Sequence, residues 1–332
     1  MNDRLERVRA WAGRTLPGRV LDIAPASADA SFRAYFRVRW PGGSAIVMDA
    51  PPAHEDCRPF VRIAGALAQL GLNVPRVLAA DIGAGLLLLS DLGNTQYLDK
   101  LGDATADRLY GDALDALARL ALGGDPASGV LPPYDDALLL REMNLFRDWF
   151  LVRHLGLTLD GTEHALLDTT FALLSEKARA QPQVWVHRDY HSRNLMVCAP
   201  HDPGVLDFQD AVIGAVTYDL VSLLRDAYID WPDARVAGWV ESYRQRLAGS
   251  VLARASADAF LRDFELMGAQ RQLKVCGIFA RLAWRDGKHR YLADIPRVFE
   301  YLLGACARHP ELAGLGRFLH ARVVPALAGE TA

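Results

Sequence analysis

The most constraining feature of the sequence is a polar loop between two short apolar runs, VWV and GVLDF, in the stretch from residue 184 to residue 210. Both apolar runs predict buried strands. The loop between them begins with the tripeptide HRD, and Asn194 stands five positions after Asp189. Asp207 stands eighteen positions after Asp189, at the far end of the second run. A polar connection between strands does not require this set of residue types at this spacing.

The arrangement H-R-D-x-x-x-x-N…D-F predicts phosphoryl transfer from ATP. In that chemistry Asp189 is the catalytic base that takes the proton of an attacking hydroxyl, and an Asx turn is the alternative role for its side chain. The amide oxygen of Asn194 and the carboxylate of Asp207 are predicted to hold Mg²⁺ against the phosphates. His191 is predicted to contact the transferring phosphoryl group, and a surface histidine is the equal alternative. The motif therefore predicts a kinase-type phosphotransferase.

Composition excludes several other classes of protein. The chain has 332 residues, 51% of them hydrophobic, and a net charge of −3, so no basic field predicts nucleic acid or an anionic membrane as a partner. The four cysteines include no C-x-x-C pair, which excludes the usual zinc sites and predicts reduced thiols in a cytoplasmic protein. Neither a membrane span nor a signal peptide is predicted. Composition predicts no particular oligomeric state.

The order of the predicted elements indicates two lobes in an α+β fold. A short helix at 2–16 comes first, followed by the alternating segment ASFRAYFRV, a hairpin turn at WPGG and further strands. One helix is inserted, with Asp56 at its N-cap and Gly71 as its stop. After residue 90, helices are predicted at 96–100, 105–122, 135–154, 163–181, 218–227, 234–247, 255–285 and 295–309. We expect a small antiparallel β-rich nucleotide-binding lobe at 1–90 and a larger helical catalytic and substrate-binding lobe at 91–332, with the nucleotide between them.

Five stretches resemble one family of kinases over nearly the whole chain. They are DASFRAYFRV, VMDAPPAHEDCRPFV, LLLSDLGNTQYLD, HRDYHSRNLM and RQLKVCGIFARLAWRDGKHRYLADIPRVFEYL. The chain resembles the aminoglycoside phosphotransferase and choline kinase branch of the protein-kinase-like fold, and within it the bacterial N-acetylmuramate/N-acetylglucosamine kinases of cell-wall recycling. This resemblance implies a bilobal protein-kinase-like fold and phosphorylation of the anomeric C1 hydroxyl of an amino sugar. A kinase of aminoglycosides or choline and a nucleotide-binding pseudokinase remain as alternatives.

The nucleotide contacts that the resemblance implies lie in the N-terminal lobe. The backbone from Ser90 to Leu92 is expected to hold adenine between apolar walls, and a plain connection between lobes is the alternative. The turn that ends at Ser31 contains no glycine. Its small residues still let backbone amides approach the phosphates. We therefore expect Ser31, Ser90 and Leu92 at the nucleotide.

The third strand departs from the kinase pattern V-A-I-K, because it reads AIVM with Met48 at the lysine position. The first lysine of the chain is Lys100, so no shift of alignment restores this cation. The positive charge must then come from Mg²⁺ alone or from an arginine. We predict that Arg33, nearest the phosphate turn, supplies it, and a solvated strand arginine is the alternative. The ion pair to a helix carboxylate, Glu55 or Asp56, is then expected to be altered or absent.

The acceptor sugar is expected in the helical lobe. An aromatic face suits a sugar ring, and a guanidinium suits the lactyl carboxylate of N-acetylmuramate. The candidates are Asp226, Trp231, Arg271 and Arg285, each with a solvated or packing role as the alternative. The resemblance also implies that Asp219 anchors the backbone of the catalytic loop, and His187 is expected to support that loop from within.

Overall fold

The strands and helices follow the change of pattern near residue 90. The structure, a computed structural model, describes residues 2–28, 32–198, 200–253 and 256–330. Within these ranges the strands are β1 (Asp22–Ala28), β2 (Ala34–Trp40), β3 (Gly43–Asp49), β4 (Val77–Asp81), β5 (Leu86–Ser90), β6 (Gln183–Val186), β7 (Leu195–Met196), β8 (Gly204–Val205) and β9 (Val212–Ala215). The α-helices are α1 (Asn2–Thr15), α2 (Arg58–Gln69), α3 (Ala106–Gly123), α4 (Asp136–Leu145), α5 (Gly161–Ala180), α6 (Tyr218–Leu224), α7 (Asp233–Arg246), α8 (Ala257–Asp286), α9 (Ile295–Arg308), α10 (Ala313–Phe318) and α11 (Val324–Glu330). The chain divides into a first unit, Met1–Ala116 with Arg193–Asp210, and a second unit, Leu117–Ser192 with Ala211–Ala332.

The first unit contains a five-stranded antiparallel sheet in the order β1-β2-β3-β5-β4. Successive side chains of a strand point to opposite sides, which explains the two faces of β2. Phe36 and Val38 are buried on one face, in the same apolar cluster as Trp11 of α1. On the other face Tyr35 lies directly opposite Met48 of β3. The alternating sequence thus gives the sheet one face that packs against α1 and another that carries polar side chains.

Helix α2 begins and ends close to the predicted positions. The Asp56 carboxylate accepts a hydrogen bond from the Arg58 backbone N–H at 3.0 Å, although Cys57, one residue later, is the N-cap. Pro59 lies in the first turn of the helix. Gly71 follows the helix with φ +78°, a conformation that glycine adopts without a Cβ penalty. The WPGG turn is confirmed as the hairpin between β2 and β3.

The second unit is organised around α8, a helix of 30 residues. Its middle, 266–277, is buried on all sides, because α4, α5, α6 and α9 all pack against it. An added Cβ at Gly277 would lie 2.3 Å from the carbonyl carbon of Leu145, at the end of α4. Glycine therefore permits the close approach of α8 and α4. Beside the helices, β6 and β9 form a short antiparallel sheet.

Several boundaries differ from the predicted ones. Residues 96–100 form a turn rather than a helix, the strand predicted at 204–208 is limited to β8, and α6 is three residues shorter than predicted. Strands β7 and β9 and helices α10 and α11 were not predicted. The α+β class with an antiparallel sheet and a helical majority after residue 90 is confirmed. Among the described helices, none has the length and apolar character needed to cross a membrane.

Candidate active site

The part of the predicted catalytic loop that lies in the second unit, residues 187–192, follows β6 and is held by a carboxylate at the start of α6. Asp219 is buried, and its two carboxylate oxygens accept hydrogen bonds from the backbone N–H groups of His187 at 2.6 Å and Arg188 at 2.9 Å. Arg188 has φ +77°, which is uncommon for a residue with a Cβ. Burial raises the pKa of Asp219 to about 6, although His187 and the two backbone donors act in the opposite direction. The predicted anchoring role of Asp219 is confirmed.

Asp189 lies in the middle of this loop. Its backbone N–H donates to Nδ1 of His187 at 3.3 Å, and its carbonyl accepts from the His191 backbone N–H at 3.0 Å. His187 therefore supports the loop from within, as predicted. Burial raises the pKa of Asp189, but neighbouring cations, Lys274 first, hold it below the ordinary value. Asp189 is accordingly ionised at neutral pH and able to accept a proton.

His191 contributes to the electrostatics of the same loop. Its ring is perpendicular to that of Tyr228, with centroids 5.5 Å apart. It is also one of the groups that lower the pKa of Asp189. Neither the ring contact with Tyr228 nor the effect on Asp189 tests a contact with phosphate. The contact of His191 with a phosphoryl group therefore stays a prediction.

A buried cluster of charges behind the loop was not predicted from the sequence. Glu142 of α4, 7% exposed, accepts hydrogen bonds from the Arg188 guanidinium and the Tyr134 hydroxyl. Lys274 of α8, 4% exposed, lies 3.3 Å from the Glu142 carboxylate and donates to the Tyr218 hydroxyl at 2.8 Å. Burial raises the pKa of Glu142, but Lys274 and Arg188 outweigh burial and lower it. The signal in the sequence is a pair of charged residues inside apolar helical stretches, LLLREMNLF and QLKVCGIFA.

The two predicted metal ligands lie together in the first unit. Nδ2 of Asn194 is 3.4 Å from a carboxylate oxygen of Asp207, and the Asn194 carbonyl accepts from the Leu206 backbone N–H at 2.9 Å. The other Asp207 oxygen accepts from Gln209 at 2.7 Å. Asp207 has φ +63°, a conformation in which aspartate is enriched. The short β7–β8 ladder holds these residues close to each other.

The chemistry of this donor set fits Mg²⁺. No group of three or more His, Cys, Asp or Glu side chains among the described residues is arranged to hold a metal ion. Mg²⁺ is commonly held by one or two protein oxygen donors, with phosphate oxygens and waters completing its octahedron. Asn194 and Asp207 provide such a pair of donors.

The segment expected to hold adenine is fixed by its own neighbours in the first unit. Ser90 makes two hydrogen bonds with Arg76, both at 2.9 Å. The Ser90 backbone N–H donates to the Arg76 carbonyl, and the Ser90 hydroxyl oxygen accepts from the Arg76 backbone N–H. The carbonyl of Leu92 accepts a hydrogen bond from the Cys198 thiol at 3.2 Å. Arg37 of β2 makes a bidentate ion pair with the Asp91 carboxylate at 2.7 and 2.9 Å, and it also donates to the Gly93 carbonyl. The backbone of this segment is therefore held in one conformation. Ser31 lies outside the described residues.

Arg33 precedes β2 in the first unit and makes an ion pair. Its Nε lies 3.1 Å from a Glu55 carboxylate oxygen, and both side chains are mostly buried. Burial lowers the pKa of Arg33, but Tyr35 and Glu55 outweigh the effect of burial, so the pKa lies above its ordinary value. Strand alternation puts Arg33 on the same face as Tyr35 and therefore as Met48, which is 1% exposed. The ion pair that kinases make between a strand lysine and a helix glutamate is thus altered rather than absent. Its cation here is Arg33, and its carboxylate, Glu55, stands before α2 rather than in it.

The four residues predicted for the sugar have different surroundings in the second unit. Asp226 is buried and accepts hydrogen bonds from Ser192 and from the Tyr228 backbone N–H. Trp231 packs perpendicular to Trp239. Arg285 is half exposed and pairs with the adjacent Asp286. Arg271 is buried in the middle of α8. The contact of each of these residues with a sugar stays a prediction.

Comparison with known proteins identifies the family. Residues 22–260 match the profile described as the phosphotransferase enzyme family. The chain belongs to this family. Curated relatives named N-acetylmuramate/N-acetylglucosamine kinase include one from Pseudomonas aeruginosa, 51% identical over 95% of this chain and 96% of the relative. Another, from Pseudomonas putida, is 49% identical over 96% and 92%, and one from Neisseria meningitidis is 43% identical over 93% of both.

Solved structures agree with membership of the phosphotransferase enzyme family at the level of fold. A choline/ethanolamine kinase family protein from Mesorhizobium loti has a TM-score of 0.64 at 15% identity, covering 94% of this chain and 97% of that protein. Choline kinase LicA from Streptococcus pneumoniae has a TM-score of 0.61 at 10% identity, covering 90% and 99%. The predicted kinase-like fold and the predicted enzyme class, a phosphotransferase acting on a hydroxyl, are thereby confirmed.

Proposed function

We propose that this phosphotransferase transfers the γ-phosphoryl group of ATP to the anomeric C1 hydroxyl of N-acetylmuramate and N-acetylglucosamine. The observation that carries the proposal is the identity of 43–51% with kinases named for these two sugars, over more than nine-tenths of the chain. The product is a sugar 1-phosphate, which suits a role in cell-wall recycling. We infer that the acceptor of this enzyme is a small molecule and that the enzyme acts in the cytoplasm.

The catalytic loop carries the acceptor side of the reaction. Asp189 accepts a hydrogen bond from the sugar hydroxyl and takes its proton as the bond from the sugar oxygen to the γ-phosphorus forms and the bond from that phosphorus to the departing ADP breaks. Because Asp189 is ionised, it orients the hydroxyl before reaction, and general-base catalysis of this kind contributes about 10²–10⁴-fold. His191 lies two residues further along and is proposed to contact the transferred group. Asp219 and Glu142 act on the reaction through the position of the loop, because they bind its backbone and Arg188.

The nucleotide is proposed to bind through the first unit. Asn194 and Asp207 hold Mg²⁺, which when bound neutralises charge on the phosphates. Ser90 and Leu92 lie beside adenine. Arg33 supplies the cation that kinases otherwise take from a lysine on the third strand, since it lies on the same sheet face as Met48 and already pairs with a carboxylate. Residues 1–90 would then serve nucleotide binding, and residues 91–332 would serve catalysis and acceptor binding in addition to providing Leu92 and the two metal ligands.

A substrate panel tests the proposed function. ATP consumption is measured with N-acetylmuramate, N-acetylglucosamine, N-acetylgalactosamine, choline and kanamycin, with and without Mg²⁺. We expect Mg²⁺-dependent turnover of the first two compounds. Turnover of choline or kanamycin alone would replace the proposal with another acceptor class, and ATP binding without any turnover would indicate a pseudokinase.

The site of phosphorylation is tested with blocked sugars. The methyl glycosides of both sugars carry no hydroxyl at C1 and should be inert. Phosphorus NMR of the product of the free sugars should show a phosphate at C1. Phosphorylation of the methyl glycosides at a normal rate would move the reaction to another hydroxyl.

A further inference from the structure

Arg271 differs from the other buried cations discussed above because its guanidinium makes no ion pair with a carboxylate. It lies in the middle of α8 and is 4% exposed. Its Nη1 is fully buried and has no hydrogen-bond partner. Across the described ranges of the chain, its guanidinium makes neither an ion pair nor a hydrogen bond. Lys274, three residues further along the same helix, is equally buried but has both Glu142 and Tyr218 as partners.

An unpaired buried guanidinium is costly, which makes its presence informative. Arginine stays protonated in proteins, so burial cannot be relieved by loss of the proton. A charge removed from water without a partner costs several kcal/mol in real proteins. A structural role would be served better by an apolar side chain of similar length, because such a replacement removes the desolvation cost. The guanidinium is therefore best explained by an anionic group that arrives with a ligand.

The electrostatics of the catalytic loop indicate which ligand this is. Arg271 is one of the cations that hold the pKa of Asp189 below its ordinary value, so it lies within electrostatic range of the base. The acceptor sugar must approach the same base with its C1 hydroxyl. An anionic group elsewhere on that sugar would then come within reach of Arg271.

The two sugars of the proposed function differ in one anionic group. N-acetylmuramate carries a lactyl ether on O3, with a carboxylate at its end, and N-acetylglucosamine carries a free hydroxyl there. We propose that Arg271 binds the lactyl carboxylate of N-acetylmuramate, in a bidentate pair of the kind that guanidinium forms with carboxylates. The inference rests on the proposed function and deepens it, because it assigns recognition of the acidic substrate to one residue.

The experiment compares kcat/KM for the two sugars in Arg271→Met, Arg271→Lys and a matched control. Arg271→Met should lower kcat/KM for N-acetylmuramate about 10²-fold, since truncating one partner of a buried charge pair has effects of this size. The value for N-acetylglucosamine should stay within about threefold. Arg271→Lys keeps the charge without the planar fork and should lose about tenfold for N-acetylmuramate. Arg262→Met, on the exposed start of the same helix and paired with Glu311, should change neither value.

A change in the substrate provides a second arm that does not depend on any variant folding. The methyl ester of the lactyl group adds one methyl group to N-acetylmuramate and removes its charge. The unmodified enzyme should use the ester at least about tenfold less efficiently than the acid, whereas Arg271→Met should not distinguish the two. Equal use of ester and acid by the unmodified enzyme would overturn the inference.

Other outcomes separate this inference from the proposed function. Equal losses on both sugars in Arg271→Met would overturn the inference alone and assign Arg271 to the transferred phosphoryl group. Absence of turnover of both sugars by the unmodified enzyme would overturn the proposed function and the inference with it. Thermal unfolding gives a further check, because loss of an unpaired buried charge should leave the Tm of Arg271→Met unchanged or raise it. A large fall in Tm would indicate a structural role and contradict the inference.

Discussion

The catalytic loop of the second unit and the start of β2 in the first unit hold their charges in different ways. Around Asp189, buried side chains from several helices contact the loop, and Glu142 pairs with both Arg188 and Lys274. Before β2, Arg33 makes an ion pair with the Glu55 carboxylate and also interacts with the neighbouring Tyr35. The loop thus has partners on several helices, whereas these two partners of Arg33 come from the strand itself and from the segment before α2.

This difference indicates where the chain has fixed its catalytic geometry in advance. Dipoles and charges that need no rearrangement during the reaction stabilise a transition state most effectively. The loop meets that condition, because helix packing determines the position of each partner. The ion pair of Arg33 with Glu55, by contrast, lies before β2 and outside that helical packing. Substitutions in the loop should therefore have larger effects than substitutions at Arg33.

Substitution of the catalytic base should have the largest effect. Asp189→Asn keeps the shape of the side chain and removes its ability to take a proton, so kcat should fall about 10²–10⁴-fold. Affinity for Mg²⁺-ATP, measured by calorimetry, should be nearly unchanged, since Asp189 is not one of the proposed metal ligands. Asp148→Asn, an exposed aspartate of the second unit, is the control and should keep full activity. A kcat for Asp189→Asn near the unmodified value would remove Asp189 from its proposed role.

The buried cluster behind the loop should show the next largest effect. Glu142→Gln leaves the Arg188 and Lys274 cations with no carboxylate between them, and breaking a buried pair in this way costs about 3–5 kcal/mol of unfolding free energy. Adding Lys274→Met removes one of the two unpaired cations and should recover part of that loss in urea unfolding. Turnover should stay about tenfold or more below normal in the double variant, because Arg188 lacks its anchor. Full recovery of kcat together with stability would show that the cluster serves folding alone.

The loop after β6 stands out in the sequence because its signal is local, and the catalytic and metal-binding roles of its residues stay predictions. Asp189, Asn194 and Asp207 stand at a fixed spacing, and the backbone between them is short. Glu142 could not be predicted in the same way, because it lies 46 residues before Arg188 and reaches it only through the packing of α4.

The fold shows the same contrast between local and distant information. The sheet of the first unit was predicted from alternation and turn residues within a few positions of each strand. Helix α10, in contrast, contains two glycines in the sequence AGLGRF, which lower intrinsic helix propensity. It forms because α9 and α5 pack against it. Strand β9 has four residues, and it forms as a strand by pairing with β6.

Substitution of Arg33 should have a smaller effect on turnover. Arg33→Ala should raise KM for ATP and lower kcat, with a combined loss of about tenfold, below the 10²–10³-fold of a fully buried donor. Arg33→Lys should recover most of the loss if charge is the property that matters. Met48→Leu is the matched control, since it preserves volume in a buried position on the same face. Unchanged ATP kinetics in Arg33→Ala would leave Mg²⁺ as the sole cation at the phosphates.

The smallest effect concerns the pH dependence of stability, and it tests how the loop is anchored. Asp219 has a pKa raised by burial from the ordinary 3.8 to about 6 in the folded chain. Between these two values the folded state binds a proton that the unfolded state does not, so this group stabilises the fold as the pH falls through 6. Asp219→Asn does not titrate and loses that contribution. The difference in unfolding free energy between the unmodified protein and Asp219→Asn, measured in urea at several pH values, should therefore grow from pH 7 to pH 4. A difference that shrinks over this range would mean that the two backbone hydrogen bonds outweigh burial and that the folded pKa lies below 3.8.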